Sequence, residues 1–203
     1  MSSKSDKSQV VAGAGWLASI FISLAKKVME QGGTDKDIHR LATPDGEKIL
    51  DEIAKLIVGA SRQSFKVLVD YTKTLAEMIR AGSYDCEGFD INSENFKVVG
   101  QGQQEVEVVL FHFNRETNTE DILLKMERAG YRPARIEELL ALGAKHPNLQ
   151  RQFSIVAFGS VWWNPDGYHA VVYLTWHDVK RDLGLNFTEN CWFEDYRFAA
   201  VRK

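Results

Sequence analysis

Trp162, Trp163, Tyr168, Trp176, Trp192, Phe193 and Tyr196 fall within 35 residues of one another. Asn164, Asp166, His169, His177, Asp178, Asn190, Glu194 and Asp195 are interleaved with them. This mixture suits recognition better than bond-making. Aromatic rings supply contact area at low entropic cost, and short polar side chains supply adaptable hydrogen bonds. Two readings stand side by side. The cluster is a binding surface made by Trp162, Trp163, Asn164, Asp166, Tyr168, His169, Trp176, His177, Asn190, Trp192, Glu194 and Asp195, or its tryptophans are a sheet's core. Strand alternation should send one of Trp162 and Trp163 inward and the other outward.

Other residue types that could do chemistry lack the required spacing. His39, with Asp35 one turn before it, reads as a surface pair. His112 lies between Phe111 and Phe113 as a strand histidine, and His146 reads as a solvated loop residue. His169 and His177 flank one apolar run, so they sit near its opposite ends and do not share a metal easily. No HxH, HExxH or HxxE pattern occurs. Gly159-Ser160 lacks the second glycine of a nucleophile elbow. Gly13-Ala14-Gly15 falls inside a helical pattern and Gly100-Gln101-Gly102 precedes a strand, whereas a phosphate loop leads from strand to helix. Glu137-Glu138 are neighbours on a helix, about 100° apart, and read as a solvated face rather than an acid/base pair. Cys86 and Cys191 have no ligand-like spacing and read as two free buried thiols. No catalytic residue, metal or cofactor is expected from these patterns.

The elements that must position the aromatic cluster follow from periodicity and punctuation. Val10, Ala14, Leu17, Phe21, Leu24 and Val28 recur at a 4-3-4-3-4 spacing, one face of a helix ending at Gly32-Gly33. Such an apolar face should be buried in the chain, in a partner or at a membrane surface. Thr34 opens a short helix to Leu41. Thr43-Pro44 starts another, expected to bury Ile49, Leu50, Ile53, Leu56 and Ile57. Phe65–Val69 is strand or helix, and Leu75, Met78 and Ile79 mark a helix stopping at Gly82. Glu105–Phe113 reads as a strand. Asn118 or Thr119 caps a helix ended by Gly130, and Pro133 opens another, ended by Gly143. Ile155–Trp163 and Ala170–Trp176 are strands joined by the turn Asn164-Pro165-Asp166-Gly167. Leu183–Phe187 and Tyr196–Val201 are further strands. The predicted organisation is a helical module over 8–82, a linker or loop over 83–103, and an α+β domain over 104–203 with a mixed, mostly antiparallel sheet.

Composition narrows the function classes. Hydrophobic residues make up 44% and charged residues 26%, ordinary for a globular chain. Basic residues number 13 before position 100 and 12 after it, against 14 acidic in each part, for a net charge of -3. Neither half has the basic footprint of a nucleic-acid binder. The apolar stretch Val10–Ala25 is too short to span a bilayer and runs into Lys26-Lys27 without a cleavage site, so no membrane span and no signal peptide are expected. A cytoplasmic location is expected, with secretion by a non-classical route as the alternative.

Several motifs carry a family resemblance over about 106–203. Gly130-Tyr131-Arg132-Pro133-Ala134 followed by Glu137-Glu138-Leu139-Leu140, Ser160-Val161-Trp162-Trp163, and Tyr196–Arg202 resemble C-type lectin-like domains of the Lcl C-terminal and formylglycine-generating-enzyme-like type. The whole chain is also similar to a family of bacterial proteins, in Gly32–Gly46 and Arg132–Gly143, a likeness that implies no function. The lectin-like resemblance implies a ligand face on the loops between the late strands. Three departures qualify it. Arg135 stands where the pattern has Thr or Ser, removing a side-chain helix cap. The Glu–Pro–Asn or Gln–Pro–Asp segment and the later Trp–Asn–Asp of calcium-dependent sugar binding are missing, and Asn164-Pro165-Asp166 reads as a plain turn. Only Cys191 stands where formylglycine-generating enzymes have a cysteine pair.

The resulting expectation is a non-enzymatic module that binds a protein, peptide or glycan through the aromatic–polar face. Two alternatives are an enzyme of unknown class using the same face, with a carboxylate or histidine in a deep pocket, and an assembly protein self-associating through the Val10–Val28 helix.

Overall fold

A computed structural model describes residues 4–60 and 62–203, without the side chains of 4–14, 55, 58 and 60. The chain forms two compact units that divide between Ala60 and Ser61. The first holds α1 (Lys4–Glu30), α2 (Asp35–His39) and α3 (Glu47–Ala60). Its punctuation is chemical. Gly32, at φ +85°, ends α1 in a conformation that costs other residues steric strain. Thr34 opens α2, its backbone N–H donating to the Asp37 carboxylate at 2.8 Å.

Amphipathic periodicity did not translate into burial here. Trp16, Leu17, Ile20, Phe21 and Ile22 are exposed on α1, and only Leu24 and Val28 of its stripe are half-buried. Val10 and Ala14 of that stripe lie outside the described side chains. On α3, Leu50, Leu56 and Ile57 are exposed instead of buried, with Ile49 and Ile53 half-buried. A unit this small encloses little volume, so helix faces stay at its surface.

The second unit is α+β. Its elements are β1 (Gln63–Asp70), α4 (Leu75–Gly82), β2 (Cys86–Glu87), β3 (Gln103–His112), α5 (Thr119–Arg128), β4 (Tyr131–Pro133) and α6 (Ile136–Lys145), then β5 (Ser154–Trp163), β6 (His169–His177), β7 (Lys180–Phe187) and β8 (Tyr196–Arg202). They build one mixed eight-stranded sheet in the order β1-β3-β8-β5-β6-β7-β2, with β4 also on β8. The β5–β8 and β2–β7 pairs are parallel and the others antiparallel.

Both faces of the sheet are covered. Val106, Val108 and Leu110 of β3 pack with Leu75 and Met78 of α4 and Ile136, Leu139 and Leu140 of α6. Val109 and Phe111 point the other way, into a cluster with Ile122 and Met126 of α5. A strand buried on both faces reads as an apolar run, which is why β3 loses its alternation after Val108.

Three expected boundaries shift. Phe65–Val69 is a strand, and β1 pairs with β3 from Gln63↔Leu110 to Asp70↔Gln103, so residues 63–82 belong with the sheet and not with the helical module. Residues 83–103 are no simple linker. The Gly88 N–H donates to Leu183 O at 2.8 Å, β2 pairs with β7, and Ile91 and Phe96 are buried. Pro133 does not open a helix. It ends β4, opposite Ala200, and α6 starts at Ile136 and passes Gly143 to reach Lys145.

The missing cap at Arg135 is supplied from elsewhere. Ser160 Oγ accepts the Ile136 N–H at 3.0 Å, and the Glu138 carboxylate accepts the Arg135 N–H at 2.8 Å. Ser160 reaches this position because β5 breaks register with β6 between Ala157 and Val161. In that irregular stretch the Gly159 N–H donates to Ala134 O at 2.8 Å. A Cβ on Gly159 would lie 2.6 Å from the same oxygen, so the close approach requires glycine.

Glu137 and Glu138 overturn the solvated-face expectation, since both are buried. Arg132 donates to both oxygens of Glu138, one of them at 2.9 Å. This fork-to-fork ion pair compensates the loss of water.

Candidate binding surface

The hairpin joining β5 to β6 holds two exposed aromatics of the expected surface, Trp163 and Tyr168. Its turn is closed by Gly167 N–H to Asn164 O at 3.0 Å and by Tyr168 N–H to Asn164 Oδ1 at 2.8 Å. The register sets Trp162 opposite Ala170 and Trp163 opposite His169. Alternation then divides the two tryptophans as expected. Trp162 is half-buried, packed against the α4/α6-side core and 6.5 Å from the Phe96 ring. Trp163 is 68% exposed.

Trp163 is held, although exposed. Its ring meets His169 edge-on at 4.2 Å between centroids. His169 Nδ1 lies 2.6 Å from Glu189 Oε1, which also accepts the His169 backbone N–H at 3.1 Å. The hydrogen bond from His169 is the main cause holding the Glu189 carboxyl below its ordinary range. A second exposed pair is Tyr168 against Phe187, at 5.5 Å. Phe187 faces Ala170 in the register, so it shares Trp162's side of the sheet. The hairpin end thus carries one exposed aromatic pair on each sheet face. Exposed Asp166 lies in the turn, and exposed Asn190 donates to Asn186 Oδ1 at 2.9 Å beside Phe187.

The remaining residues of the expected surface are elsewhere. Trp176 is half-buried under the Arg151 guanidinium, 4.4 Å from its ring centroid. His177 is exposed beside Asp178 at the far end of β6, about 26 Å along the strand from His169. Glu194 and Asp195 are exposed in the β7–β8 connection, where the Glu194 carbonyl lies 2.9 Å from His112 Nε2.

Trp192 is core and not surface, with no exposed area. Its ring N–H donates to Thr119 Oγ1 at 2.8 Å, and it meets Phe158, Tyr196 and Phe198 edge-on at 5.2, 5.2 and 5.8 Å. The polar end of the indole is therefore satisfied while its body fills the α5-side core.

Sequence reasoning missed Glu189 and Phe187 as parts of this surface. Only the β6–β7 register brings them to the hairpin, and no local signal carries that register. Two further expectations fail on burial. Cys86 and Cys191 are free but exposed, and His146 is half-buried against Phe65, its pKa lowered chiefly by burial. Among the described residues there is no cluster of His, Cys, Asp and Glu that could hold a metal, and no helix long and apolar enough to cross a membrane. No family model, curated protein or solved structure matches the chain.

Proposed function

We propose that the second unit is a non-enzymatic binding module on a C-type lectin-like scaffold, taking a peptide or glycan at the end of the β5–β6 hairpin. The observation that carries this reading is Trp163, 68% exposed yet braced by a histidine that is itself hydrogen-bonded to Glu189. A large ring held in place at the surface loses little entropy on binding, and tryptophan is the residue type richest in interface hot spots. Asn164, Asp166 and Glu189 supply polar groups around it. The scaffold reading is supported by the motif positions. Ser160–Trp163 ends β5, and Tyr196–Arg202 is the closing strand, paired with β3. Trp163→Ala and Tyr168→Ala, screened with the parent protein on glycan and peptide arrays, test it. The expected result is a parent ligand whose affinity falls at least about tenfold in Trp163→Ala. A parent protein without a ligand, or a variant that binds equally, would overturn it.

A second reading concerns the first unit. Trp16, Leu17, Ile20 and Phe21 expose an apolar patch on α1, and such patches mark interaction sites. The partner is a second copy of the chain. Leu17→Glu with Phe21→Glu in the full chain should move a dimer to a monomer in light scattering. A parent protein already monomeric at high concentration would end this reading.

A further inference from the structure

β1 stands at one end of the sheet order, so one of its sides has no strand partner. It pairs with β3 in unbroken register over Gln63–Asp70, without the proline or bulge that often blunts a sheet edge. The Tyr71 N–H donates to Gly102 O at 2.9 Å and continues the ladder. In an antiparallel ladder alternate residues bond to the partner strand. Phe65, Val67 and Val69 therefore face β3, while Ser64, Lys66 and Leu68 turn their N–H and C=O groups outward. Among the described residues, one of these outward groups is taken: the Lys66 carbonyl accepts from Lys145 Nζ of α6 at 2.6 Å.

Beside this edge lies a cleft of about 380 Å³ between β1, α4 and α6. Its apolar walls include Val69, Met78, Leu140, Ala141 and Ala144. Every second side chain of a strand added to β1 would point to the α4/α6 side of the sheet, where the cleft is. An open edge beside an apolar cleft suits strand addition, in which main-chain bonds give affinity and pockets for alternate side chains give specificity. Charge selects the occupant. The fully exposed charged residues of the lining are Lys73 and Lys145. The Asp70 carboxylate is engaged by Thr72 and Gln103, and Glu137 is buried. A second copy of the chain fits poorly. Antiparallel pairing of two β1 strands over 64–70 centres on Val67 and sets Lys66 of each copy beside the other's, a like-charge contact.

We propose that β1 takes up an extended peptide of another protein as an added strand, with alternate apolar side chains in the cleft and flanking carboxylates on Lys73 and Lys145. Lys145 is a placeholder in the free chain. It gives up the Lys66 carbonyl to a peptide N–H and pairs with a peptide carboxylate instead.

The test is a titration of the full chain with Ac-Glu-Thr-Ile-Thr-Ile-Thr-Glu-NH2, which puts both Glu and both Ile on one face. Binding should be saturable, and at saturation the Lys66 and Leu68 amides should exchange hydrogen at least about tenfold more slowly. Two further peptides are N-methylated, one at the Ile residues and one at the Thr residues. One of the two should lose at least about tenfold in affinity and the other should not, because only alternate N–H groups of an added strand reach β1. Leu68→Pro removes an outward N–H and spares the β1–β3 ladder, so it should fold and weaken binding at least about tenfold. The paired N-methylated peptides serve if it does not fold. A peptide with Lys in place of Glu should bind at least about threefold more weakly. The proposal is overturned by absence of saturable binding, by unchanged exchange at Lys66 and Leu68, or by equal affinity of the two N-methylated forms. Parent affinity in a folded Leu68→Pro or in the Lys peptide also overturns it. So does a parent dimer that Leu68→Pro converts to a monomer in light scattering, since the edge would then belong to a second copy.

Discussion

Trp163 and Trp192 lie in the same late stretch of the chain, each next to another aromatic and close to acidic and amide side chains, yet they do opposite work. The β5–β6 hairpin end projects Trp163 into solvent, 68% exposed, while the β7–β8 connection folds Trp192 back to no exposure at all. The difference lies in what each backbone meets. Trp163 is the last residue of β5, beside the exposed turn that leads into β6. Trp192 sits in a loop pinned to Thr117 by two backbone hydrogen bonds, at 2.9 and 3.0 Å, beside the start of α5. Aromatic enrichment therefore marks two different physical roles within one short stretch: packing that holds the α5 layer on the sheet, and a rigid ring left available for contact.

That contrast can be broken by measurement. Trp192→Ala should cost about 3–5 kcal/mol in urea unfolding, because it leaves a large cavity and removes the indole N–H that donates to the Thr119 hydroxyl. A cost below about 1 kcal/mol would mean the loop does not hold the layer. Glu138→Ala should cost about 2–3 kcal/mol, less than a fully buried pair because the Arg132 side chain stays 34% exposed. The same unfolding curve reads this out, and an unchanged midpoint would remove the ion pair from the fold's support. Trp163→Ala should change stability by less than about 0.5 kcal/mol, as surface substitutions do. If it destabilised as strongly as Trp192→Ala, the ring would be structural and the binding reading would lose its carrier.

Much of the second unit was legible in the sequence. The Asn118 cap, the Asn164–Gly167 turn and the alternating or continuous apolar runs set the strands and α5 within a few residues, because caps, turns and periodicity act over short distances. The split between Trp162 and Trp163 followed from the pleat alone. The start of α6 was misread for the opposite reason. Its cap is Ser160, 24 positions later in the chain, and no local pattern announces a cap delivered across a sheet. Glu137 and Glu138 looked like a solvated face because adjacent acids usually are, and their burial depends on Val99 and Arg132 arriving from other elements. On α1 and α3 the error ran the other way. Periodicity described the helices and gave no partner for their apolar faces.

By itself, the sequence determined where the backbone turns, which segments extend or coil, and that the aromatic load sits in the last strands. Only the tertiary structure decided which tryptophan is core, which carboxylate keeps an unused oxygen, and that Trp163, His169 and Glu189 form one unit. The first set depends on interactions within a turn or a pleat. The second depends on strand register and layer packing, which bring together residues far apart in the chain, 38 positions for Glu137 and Val99 and 73 for Trp192 and Thr119.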